Sequence, residues 1–453
     1  MESEMNNIDL PYFNKVKFQN QIELIKKASE EAQHKIDYFT AHDIEILHAI
    51  SIVEDFLKKK HRICYGGQAI NAHLPVKYKF YNPEYSMPDY DIFTPSQYDD
   101  IITIINQLKK AGFTEVYIRQ GMHVGTIKIY VNYVAVADMT SIDPVLYKIL
   151  SKRASRIDGI SYLDPNTLRM LMYLELSRPR GQVERWEKIF ERLMLFNEFV
   201  PIKSCPGFHL ESVFKNKLTS EQVNYTMQFI INNKRVFAGA DLLPFYENTL
   251  KLHKTNVHWL LHSNKPIIFF SGTAQDDAMQ LIAEFNYTHG EKRMPFTIKS
   301  FTASNNDILP SMKVIEQGKL PVIFILNQTA CHSYFNVPIH NKQYGKILKV
   351  ATIDTLITLY FSFSLIKNKY FNSIECLANQ LVHLSIKTRK EHKKFIFPFI
   401  SIKCYGHQDT LPSLIRTKVK YMRTKKKNLI SLLKTTITTV KNKNNRVNSN
   451  TSM

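Results

Sequence analysis

The sequence predicts a mixed α+β fold with two α/β units, and three observations predict it. Over residues 19–60, apolar residues recur at three- and four-residue steps, as on amphipathic helices. Between residues 61 and 180, short apolar strands alternate with helical segments. A similar pattern returns near residue 265. Since the chain has 453 residues, 44% of them hydrophobic, it is long enough to form more than one hydrophobic core.

The first α/β unit is predicted from short strands separated by helices and turns. Gly112 is expected to end its second helix, because glycine commonly follows the last helical residue. The predicted elements are strand Arg62–Tyr65, helix Gln68–His73, strand Met87–Phe93, helix Tyr98–Ala111, strand Val116–Arg119 and strand Thr126–Ala137. This order predicts one mixed sheet with flanking helices.

Beyond residue 142 the sequence pattern changes, with two predicted helices before a second α/β region. The predicted elements are helices Thr167–Leu176 and Val183–Phe199, strands Pro266–Phe270 and Leu320–Leu326, and helices Ile353–Ile366 and Ile374–Ile386. These elements predict five parts along the whole chain: an N-terminal helical segment (1–60), a first unit (61–180), a helical connection (181–260), a second unit (261–410) and a basic C-terminal tail (411–453).

The two units share a short sequence pattern. Ile63–Ala69 and Phe269–Ala274 each predict a strand, a turn of small residues and a helix. The second copy is followed by no strand with an Asp-x-Asp pattern. We therefore expect the second unit to be a duplicated fold without the chemistry of the first.

The charge of the chain indicates a polyanionic partner. Sixty Lys and Arg against 40 Asp and Glu leave a net charge of +20, and polyanions gain affinity for such proteins by counterion release. Nucleic acid is the favoured partner, an anionic membrane surface is the alternative, and AT-rich codon usage would explain part of the lysine excess. The tail from Leu411 has eleven Lys and Arg and no acidic residue, which is typical of a solvated tail or of a basic arm for RNA.

The cysteines predict neither a disulfide framework nor a zinc cluster. There are five, widely spaced and without a Cys-x-x-Cys pair, and we expect them to be separate buried residues. The longest apolar run is too short to span a bilayer, and the N-terminus lacks the features of a signal peptide.

Three carboxylates carry the strongest functional pattern. In a strand, residues two apart point to the same face, so Asp89 and Asp91 should project side by side. Asp138 follows the alternating apolar strand, and Asp143 is a rival for its role. Such carboxylates repel one another unless a cation binds them, and Mg²⁺ or Mn²⁺ prefers oxygen ligands. Two ions held there could activate a 3′-hydroxyl and neutralise a leaving pyrophosphate.

Two further segments are candidates for phosphate binding. Gly66 and Gly67 precede a helix whose N-terminal N–H groups and dipole favour anions, and Gln68 follows them. A second cluster, Arg178, Arg180, Arg185 and Lys188, has donors suited to phosphate, although pairing with Glu184, Glu187 and Glu191 at helical spacing is the alternative.

In these motifs the sequence resembles the polymerase-beta-like nucleotidyltransferases, and more closely the catalytic poly(A) polymerases of large DNA viruses. The usual serine after the glycine pair is Gln68 here. The segments that carry the resemblance are Tyr65–Asn71, Pro88–Phe93, His123–Thr126, Ala137–Thr140, Leu174–Gly181, Arg185–Lys188, Arg192, Leu193, Ala330–Tyr334, Ile353–Leu356 and Cys404–Gln408.

The resemblance implies a nucleotidyltransferase-type sheet and a second, degenerate nucleotidyltransferase-like unit. It implies that Asp89, Asp91 and Asp138 bind two Mg²⁺ or Mn²⁺ ions, that ATP is the substrate, and that mRNA 3′ ends are the primer. A homodimer or a processivity subunit, and a location in the host cytoplasm (the viral factory) or in the virion, would also follow. Terminal uridylation, oligonucleotide synthesis and a non-catalytic RNA-binding subunit are the alternatives.

Overall fold

The computed structural model describes residues 18–123, 125–206, 218–252, 266–289, 295–302, 310–328, 330–339, 347–366, 373–391, 401–410 and 412–424. These ranges form two mixed sheets flanked by helices, so the predicted fold class is confirmed. None of the helices within them is long and apolar enough to cross a membrane.

Two helices precede the first sheet, as predicted over 19–60. Helix α1 (Gln19–Ala41) is mostly exposed, whereas α2 (Ile44–Lys60) buries one apolar face against the sheet. Asp43 caps α2 by accepting a hydrogen bond from the Ile46 backbone N–H at 3.1 Å. The helix ends at His61, whose φ of 51° is left-handed and turns the chain into the first strand.

The first sheet has the strand order β3-β4-β5-β2-β1-β7-β6. Strand β2 is parallel to β5 and antiparallel to β1, and β1 is parallel to β7. Its elements are β1 (Ile63–Tyr65), α3 (Gly66–His73), β2 (Tyr90–Thr94), α4 (Gln97–Lys110), β3 (Val116–Gln120), β4 (Thr126–Val131), β5 (Val134–Ser141), α5 (Pro144–Arg153), β6 (Ser155–Ile157) and β7 (Ile160–Tyr162).

Helices connect the first sheet to the second, whose strand order is β10-β11-β12-β9-β8-β14-β13-β15. The connecting helices are α6 (Pro165–Leu176), α7 (Trp186–Phe199) and α8 (Ser220–Asn232). A further helix, α9 (Leu242–Leu252), lies after the first strand of the second unit. The second unit contains β8 (Val236–Phe237), β9 (Ile267–Ser271), α10 (Ala274–His289), β10 (Phe296–Phe301), β11 (Met312–Gln317), β12 (Leu320–Asn327), β13 (His332–Pro338), β14 (Ile347–Ala351), α11 (Ile353–Ser364), α12 (Ile374–Glu391) and β15 (Cys404–Tyr405).

The second sheet repeats the topology of the first. When β8 to β14 are matched in order with β1 to β7, both the strand order and the parallel or antiparallel sense of every pair agree. The β-bulge between Ile129 and Tyr130 recurs between Ile315 and Glu316. The duplication expected from the sequence is therefore present in the fold.

The sequence pattern matched the wrong strands, however. The strand before Gly272 is β9, which corresponds to β2 and not to β1, while the counterpart of β1 is the two-residue strand β8. A strand followed by a small-residue turn and a helix occurs at both positions of the unit. The local pattern therefore could not separate them, and only the pairing of strands distant in sequence does so.

The duplication also repeats one buried ion pair. In the first unit Arg62 donates to both carboxylate oxygens of Asp100, at 2.7 and 3.1 Å. In the second unit Arg235 donates to both oxygens of Asp277 at 2.8 Å. In each case the arginine immediately precedes the first strand of the unit, and the aspartate lies in the helix after the second strand. These forked contacts join the start of each unit to its first long helix.

Removing the arginine of this pair should destabilise the protein. In Arg235→Met, the carboxylate of Asp277 stays buried without its counter-charge, and we expect a loss of about 3 kcal/mol of unfolding free energy. The control is Lys26→Ala, which removes the exposed 4.0 Å ion pair with Glu30. This variant should change the unfolding free energy by less than about 0.5 kcal/mol. Urea unfolding measures both, and equal midpoints for the two variants would contradict this role for the pair.

One predicted strand is in fact a hairpin. The sequence predicts a single strand over Thr126–Ala137, but Asn132 and Tyr133 have φ values of 47° and 68° and form a two-residue turn between β4 and β5. Positive φ at both positions is characteristic of a tight hairpin. The alternating apolar residues are two apart up to Val131, but the next one, Val134, is three residues on. This change of phase at the turn was overlooked in the prediction of one strand. Strand β5 then continues to Ser141, beyond the predicted end at Ala137.

The prediction that the cysteines form no disulfides was wrong. Cys205 bonds to Cys376 and Cys331 bonds to Cys404, with Cα–Cα distances of 5.8 and 5.2 Å. The partners are 171 and 73 residues apart, so spacing along the chain gave no indication of them. The odd number of cysteines reflects Cys64, which is buried and free.

The two units pack against each other through equivalent helices, α6 and α11. Polar contacts support this interface: Glu375 Oε1 accepts from Arg153 and Asn166, both at 2.7 Å. In the predicted tail, residues 412–424 are helical, and Lys418 Nζ donates to the backbone carbonyl of Gln120 at 2.9 Å. The rest of the tail, 425–453, lies outside the described residues, so its role as an arm for RNA stays a prediction.

Candidate active site

Two of the three predicted carboxylates are direct neighbours across parallel strands. In the register of β2 with β5, Asp91 is the partner of Asp138. Adjacent strands are about 4.8 Å apart, and paired residues point to the same face of the sheet. Asp91 and Asp138 therefore lie side by side in the middle of the first sheet.

Asp89 immediately precedes β2, two residues before Asp91. Burial of the site, together with the Asp138 carboxylate, raises the pKa of Asp89. Burial, with Asp89 and Asp138 nearby, raises the pKa of Asp91 to about 7. Asp138 is thus close enough to both Asp89 and Asp91 to raise their pKa values, as expected for groups that would share a cation.

The sequence predicted Asp138 at the end of its strand, but the residue lies inside β5. The strand extends because Met139, Thr140 and Ser141 continue the pairing with β2 up to Thr94. The rival carboxylate, Asp143, accepts hydrogen bonds from the backbone N–H groups of Val145 and Leu146 at 2.9 and 3.1 Å. It caps α5, and this is a structural role.

The glycine turn contacts the carboxylates directly. Gly66 follows β1, has a φ of 69°, and a Cβ atom at this position would lie 2.0 Å from Asp91 Oδ2. At Gly67, a Cβ atom would lie 2.3 Å from the Tyr81 hydroxyl, which accepts a hydrogen bond from Arg192 at 3.1 Å. Gly66 is therefore required by both its backbone conformation and its contact with Asp91, whereas a side chain at Gly67 would have to displace the Tyr81 hydroxyl. Helix α3 begins at Gly66, which brings its N-terminal N–H groups beside Asp91, and Gln68 lies in its first turn.

The oxygens of Asp138 differ in their surroundings. Oδ2 accepts a hydrogen bond from the Lys128 ammonium, which lies on the neighbouring strand β4. Oδ1 is buried and has no hydrogen-bond partner in the described residues. Within the described part of the chain, no three His, Cys, Asp or Glu side chains form a ready ion cage. The unpartnered oxygen and the raised pKa of Asp91 nevertheless fit a cation site at these carboxylates.

Basic side chains at the start of α7 lie near the carboxylates. Lys188 lies near Arg192, which lowers its pKa, and near Asp89, which opposes that effect. Arg185 is close enough to Asp91 to stabilise its charged form, and it forms a 3.6 Å ion pair with Glu175. The sequence also allowed these cations to pair with nearby glutamates of the helix. Among the described residues, no ion pair joins them to Glu184, Glu187 or Glu191.

The other two predicted arginines lie in the loop after α6. Burial raises the pKa of Glu175, and the nearby Arg178 opposes that effect. Burial lowers the pKa of His332 to about 3, and Arg178 adds to that effect. Arg178 therefore lies where the loop meets the second unit. The loop is joined to β13 by the hydrogen bond from Ser333 N to Ser177 O, 2.9 Å. Arg180 is exposed, and none of the described contacts joins it to the carboxylates.

Several residues of the site were not predicted. Lys128, the partner of Asp138, had no distinguishing motif, although its alternation with Ile127 and Ile129 could have placed it on the face of Asp138. The Tyr65 hydroxyl bonds the Thr140 hydroxyl at 2.9 Å, and Gln97 Nε2 donates to the Met139 carbonyl at 2.6 Å. These contacts hold the ends of β1 and β5 around the carboxylates.

The second unit has lost these carboxylates. In the matched sheets, Asp91 corresponds to Ile268 and Asp138 corresponds to Phe324, and the latter two are register partners as well. Both are buried, so apolar side chains fill the position of the site. The expectation of a second unit without the carboxylates is confirmed.

Comparisons with known proteins agree with this geometry. Residues 51–182 match the model of the family "Poly(A) polymerase catalytic subunit", which confirms the family resemblance seen in the sequence. A solved structure, the Megavirus polyadenylate synthase, superposes with a TM-score of 0.69 over 92% of this chain and 84% of that one, at 16% identity. At this identity the likeness concerns the fold.

Two relatives are provisionally named as poly(A) polymerase catalytic subunits. The protein of African swine fever virus (strain Badajoz 1971 Vero-adapted) is 28% identical over 186 residues, which is 40% of this chain and 38% of that protein. The protein of Acanthamoeba polyphaga mimivirus is 31% identical over 163 residues, 34% of this chain and 26% of that protein. The matched regions thus span less than half the length of these relatives.

Proposed function

We propose that this chain, which carries the poly(A) polymerase catalytic subunit domain at residues 51–182, adds AMP from ATP to RNA 3′ ends without a template. The observation that carries the proposal is the pairing of Asp91 with Asp138 on adjacent parallel strands, beside the Gly66 turn. A structural role does not account for it, because adjacent carboxylates repel each other and the matched positions of the second unit are apolar.

In this proposal Asp89, Asp91 and Asp138 hold two Mg²⁺ or Mn²⁺ ions. Bound divalent ions would favour ionisation of the 3′-hydroxyl and offset the charge of the leaving pyrophosphate. The buried Asp138 Oδ1, which lacks a partner in the described residues, supports a ligand role for this residue. Lys128 holds the other oxygen and so orients the carboxylate.

The residues around the carboxylates would bind the triphosphate of ATP. The N-terminal N–H groups of α3, which begins at Gly66, suit an anionic group beside Asp91. Arg185 and Lys188 add positive charge on the side of Asp91 and Asp89. The residues assigned to ATP from the sequence are Gly66, Gly67, Gln68, Arg178, Arg180 and Lys188, and its proximity to Asp91 adds Arg185 to them.

The proposal extends to the organisation of the chain and its setting. The first unit (61–180) would be the catalytic domain, and the second a degenerate copy that supports it. The predicted bounds of the second unit, 261–410, begin too late, because its first strand is β8 (Val236–Phe237). The partners would be the 3′ end of mRNA and ATP, with a second copy of the chain or a processivity subunit as protein partner. The relatives are viral proteins, which suits a location in the host cytoplasm, at the viral factory, or in the virion.

A nucleotide-extension assay tests the proposed function. The full chain is incubated with a labelled RNA primer, Mg²⁺ or Mn²⁺, and each of the four nucleoside triphosphates separately. We expect long products with ATP and little extension with UTP, CTP or GTP. Extension by UTP as efficient as by ATP would reject adenylation, and absence of extension with every nucleotide would reject a transferase in favour of an RNA-binding subunit.

A further inference from the structure

The face of the first sheet that carries the carboxylates continues outward to the sheet edge. Asp138 pairs with Lys128 on β4, and Lys128 pairs with Arg119 on the edge strand β3. The next pair on this face, two residues along each strand, is Tyr117 with Tyr130. Since paired residues point to the same side, an unbroken row leads from the carboxylates to two tyrosines.

These side chains form a compact surface that we term the aromatic platform (Tyr117, Arg119, Tyr130 and Tyr133). The rings of Tyr117 and Tyr130 are parallel, with centroids 5.1 Å apart. The Arg119 guanidinium lies 5.2 and 5.4 Å from their centroids. Tyr133, in the hairpin turn, is 73% exposed, and its ring lies 5.7 Å from that of Tyr117.

The second unit shows what this edge contains where no carboxylates are present. In the matched register, Tyr117 and Tyr130 correspond to Thr297 and Glu316, and Arg119 corresponds to Lys299. Lys299 and Glu316 form a surface ion pair at 3.8 Å. The fold therefore forms this edge without stacked rings. In the second unit Lys299 lies over the Phe301 ring instead, so the pair of stacked tyrosines is specific to the copy of the edge that adjoins the carboxylates.

The order of the strands fixes the direction from which a second substrate can reach the carboxylates. The Gly66 turn, at the end of β1, lies on one side of Asp91, and Asp138 lies on the other. A nucleotide whose phosphates bind at the turn leaves the β4 and β3 side open for the acceptor strand. The aromatic platform lies on that side.

Positive charge borders the same edge. Lys418, in the basic helix 412–424, donates to the Gln120 carbonyl at the end of β3. This helix also contains Arg416, Lys420 and Arg423, with no acidic residue within 412–424. Aromatic rings for base stacking combined with cations for the backbone are what proteins use to bind single-stranded nucleic acid.

We propose that the aromatic platform binds single-stranded RNA and guides its 3′ end past Lys128 to Asp138. Bases would stack on Tyr117, Tyr130 and Tyr133, and Arg119 with the basic helix would contact the phosphates. The inference rests on the proposed function for the identity of the strand that is extended. The RNA-binding surface itself rests on the geometry of β3 and β4.

Binding of a fluorescent oligoadenylate of about 15 nucleotides tests the platform. In Tyr117→Leu with Tyr130→Leu, apolar volume remains but the rings are lost, and we expect Kd to rise on the order of 10-fold or more. The corresponding double Phe variant retains the rings and should bind within about twofold of the wild type. Arg119→Ala should reduce the slope of log K against log salt by about one.

The matched control is Lys299→Ala, at the equivalent position of the second unit, which should leave RNA binding unchanged. Thermal unfolding of each variant separates loss of binding from loss of fold. If the folded Leu variant binds RNA like the wild type, or if the Phe variant weakens binding as much as the Leu variant, the platform is refuted.

A parallel extension assay separates this inference from the proposed function. If the wild type adds AMP and the Leu variant shows an unchanged KM for RNA, the proposed function stands and the platform fails. If the wild type adds no nucleotide but the Leu variant loses RNA affinity, the platform stands and the transferase assignment fails.

Discussion

Asp91→Asn is expected to reduce AMP incorporation by at least about 10³-fold, because it removes the charge of the central carboxylate and several kcal/mol of charge stabilisation with it. Asp138→Asn should have an effect of similar size, since the two residues are register partners. Single-turnover extension of a labelled primer at saturating ATP measures the loss in the chemical step. RNA affinity should stay near that of the wild type.

Asp143→Asn provides the matched control for these variants. Asp143 lies two residues after the end of β5 and caps α5, and asparagine is also a good helix cap. The control should therefore retain the wild-type rate and stability. A wild-type rate in folded Asp91→Asn would contradict the catalytic assignment, and a large loss in Asp143→Asn would transfer the third carboxylate role to that residue.

Gly66→Ala is the second variant with a large expected effect. The added methyl would lie 2.0 Å from Asp91 Oδ2 at a backbone φ of 69°, so either the carboxylate or the turn must move. A displacement of about 1 Å in an active site can cost on the order of 10²-fold in rate. We expect a loss of that size in AMP incorporation, measured in the same single-turnover assay.

Gly112→Ala separates backbone strain from the clash. Gly112 has a φ of 98°, and a Cβ atom there would have nothing within 4 Å. This variant should lose about 1 kcal/mol of unfolding free energy and keep the wild-type rate. Equal activity of the two alanine variants would show that contact between Gly66 and Asp91 is not needed.

The sequence predicted the two N-terminal helices and much of the first unit, because these elements are local and strongly patterned. Of the eight strands in the second sheet of the described residues, it predicted only β9 and β12. The two N-terminal helices, the strands on either side of the carboxylates and the long helices of the second unit all occur within a few residues of their predicted bounds. An error arose where the pattern changes only slightly at a boundary. At the turn of Asn132 and Tyr133 the apolar alternation shifts by a single residue between Val131 and Val134.

The candidate site was only partly predictable, for a related reason. Asp89 and Asp91 lie close together in sequence, so their spacing could indicate a shared face. Lys128 reaches Asp138 only through pairing of β4 with β5. The disulfide between Cys205 and Cys376 similarly depends on contacts between units. Interactions that require a specific strand register or unit interface leave no local pattern in the chain.

The duplication gives a physical comparison between two sites built on the same strand topology. Ile268 and Phe324 are buried register partners where the first unit has Asp91 and Asp138. Apolar packing at these positions favours stability, because it removes like-charge repulsion from the middle of the sheet. The first unit retains the carboxylates at that cost, which is the expected compromise at a functional site.

Direct measurement of Mn²⁺ binding tests the central claim, that the three carboxylates form a divalent-cation site. Mn²⁺ would be titrated, by electron paramagnetic resonance of the free ion, into the wild type and into a variant with Asp89, Asp91 and Asp138 all changed to Asn, each with and without ATP. We predict saturable binding by the wild type, strengthened by ATP, and its loss in the folded triple variant. Equal Mn²⁺ binding by the two proteins would contradict the account.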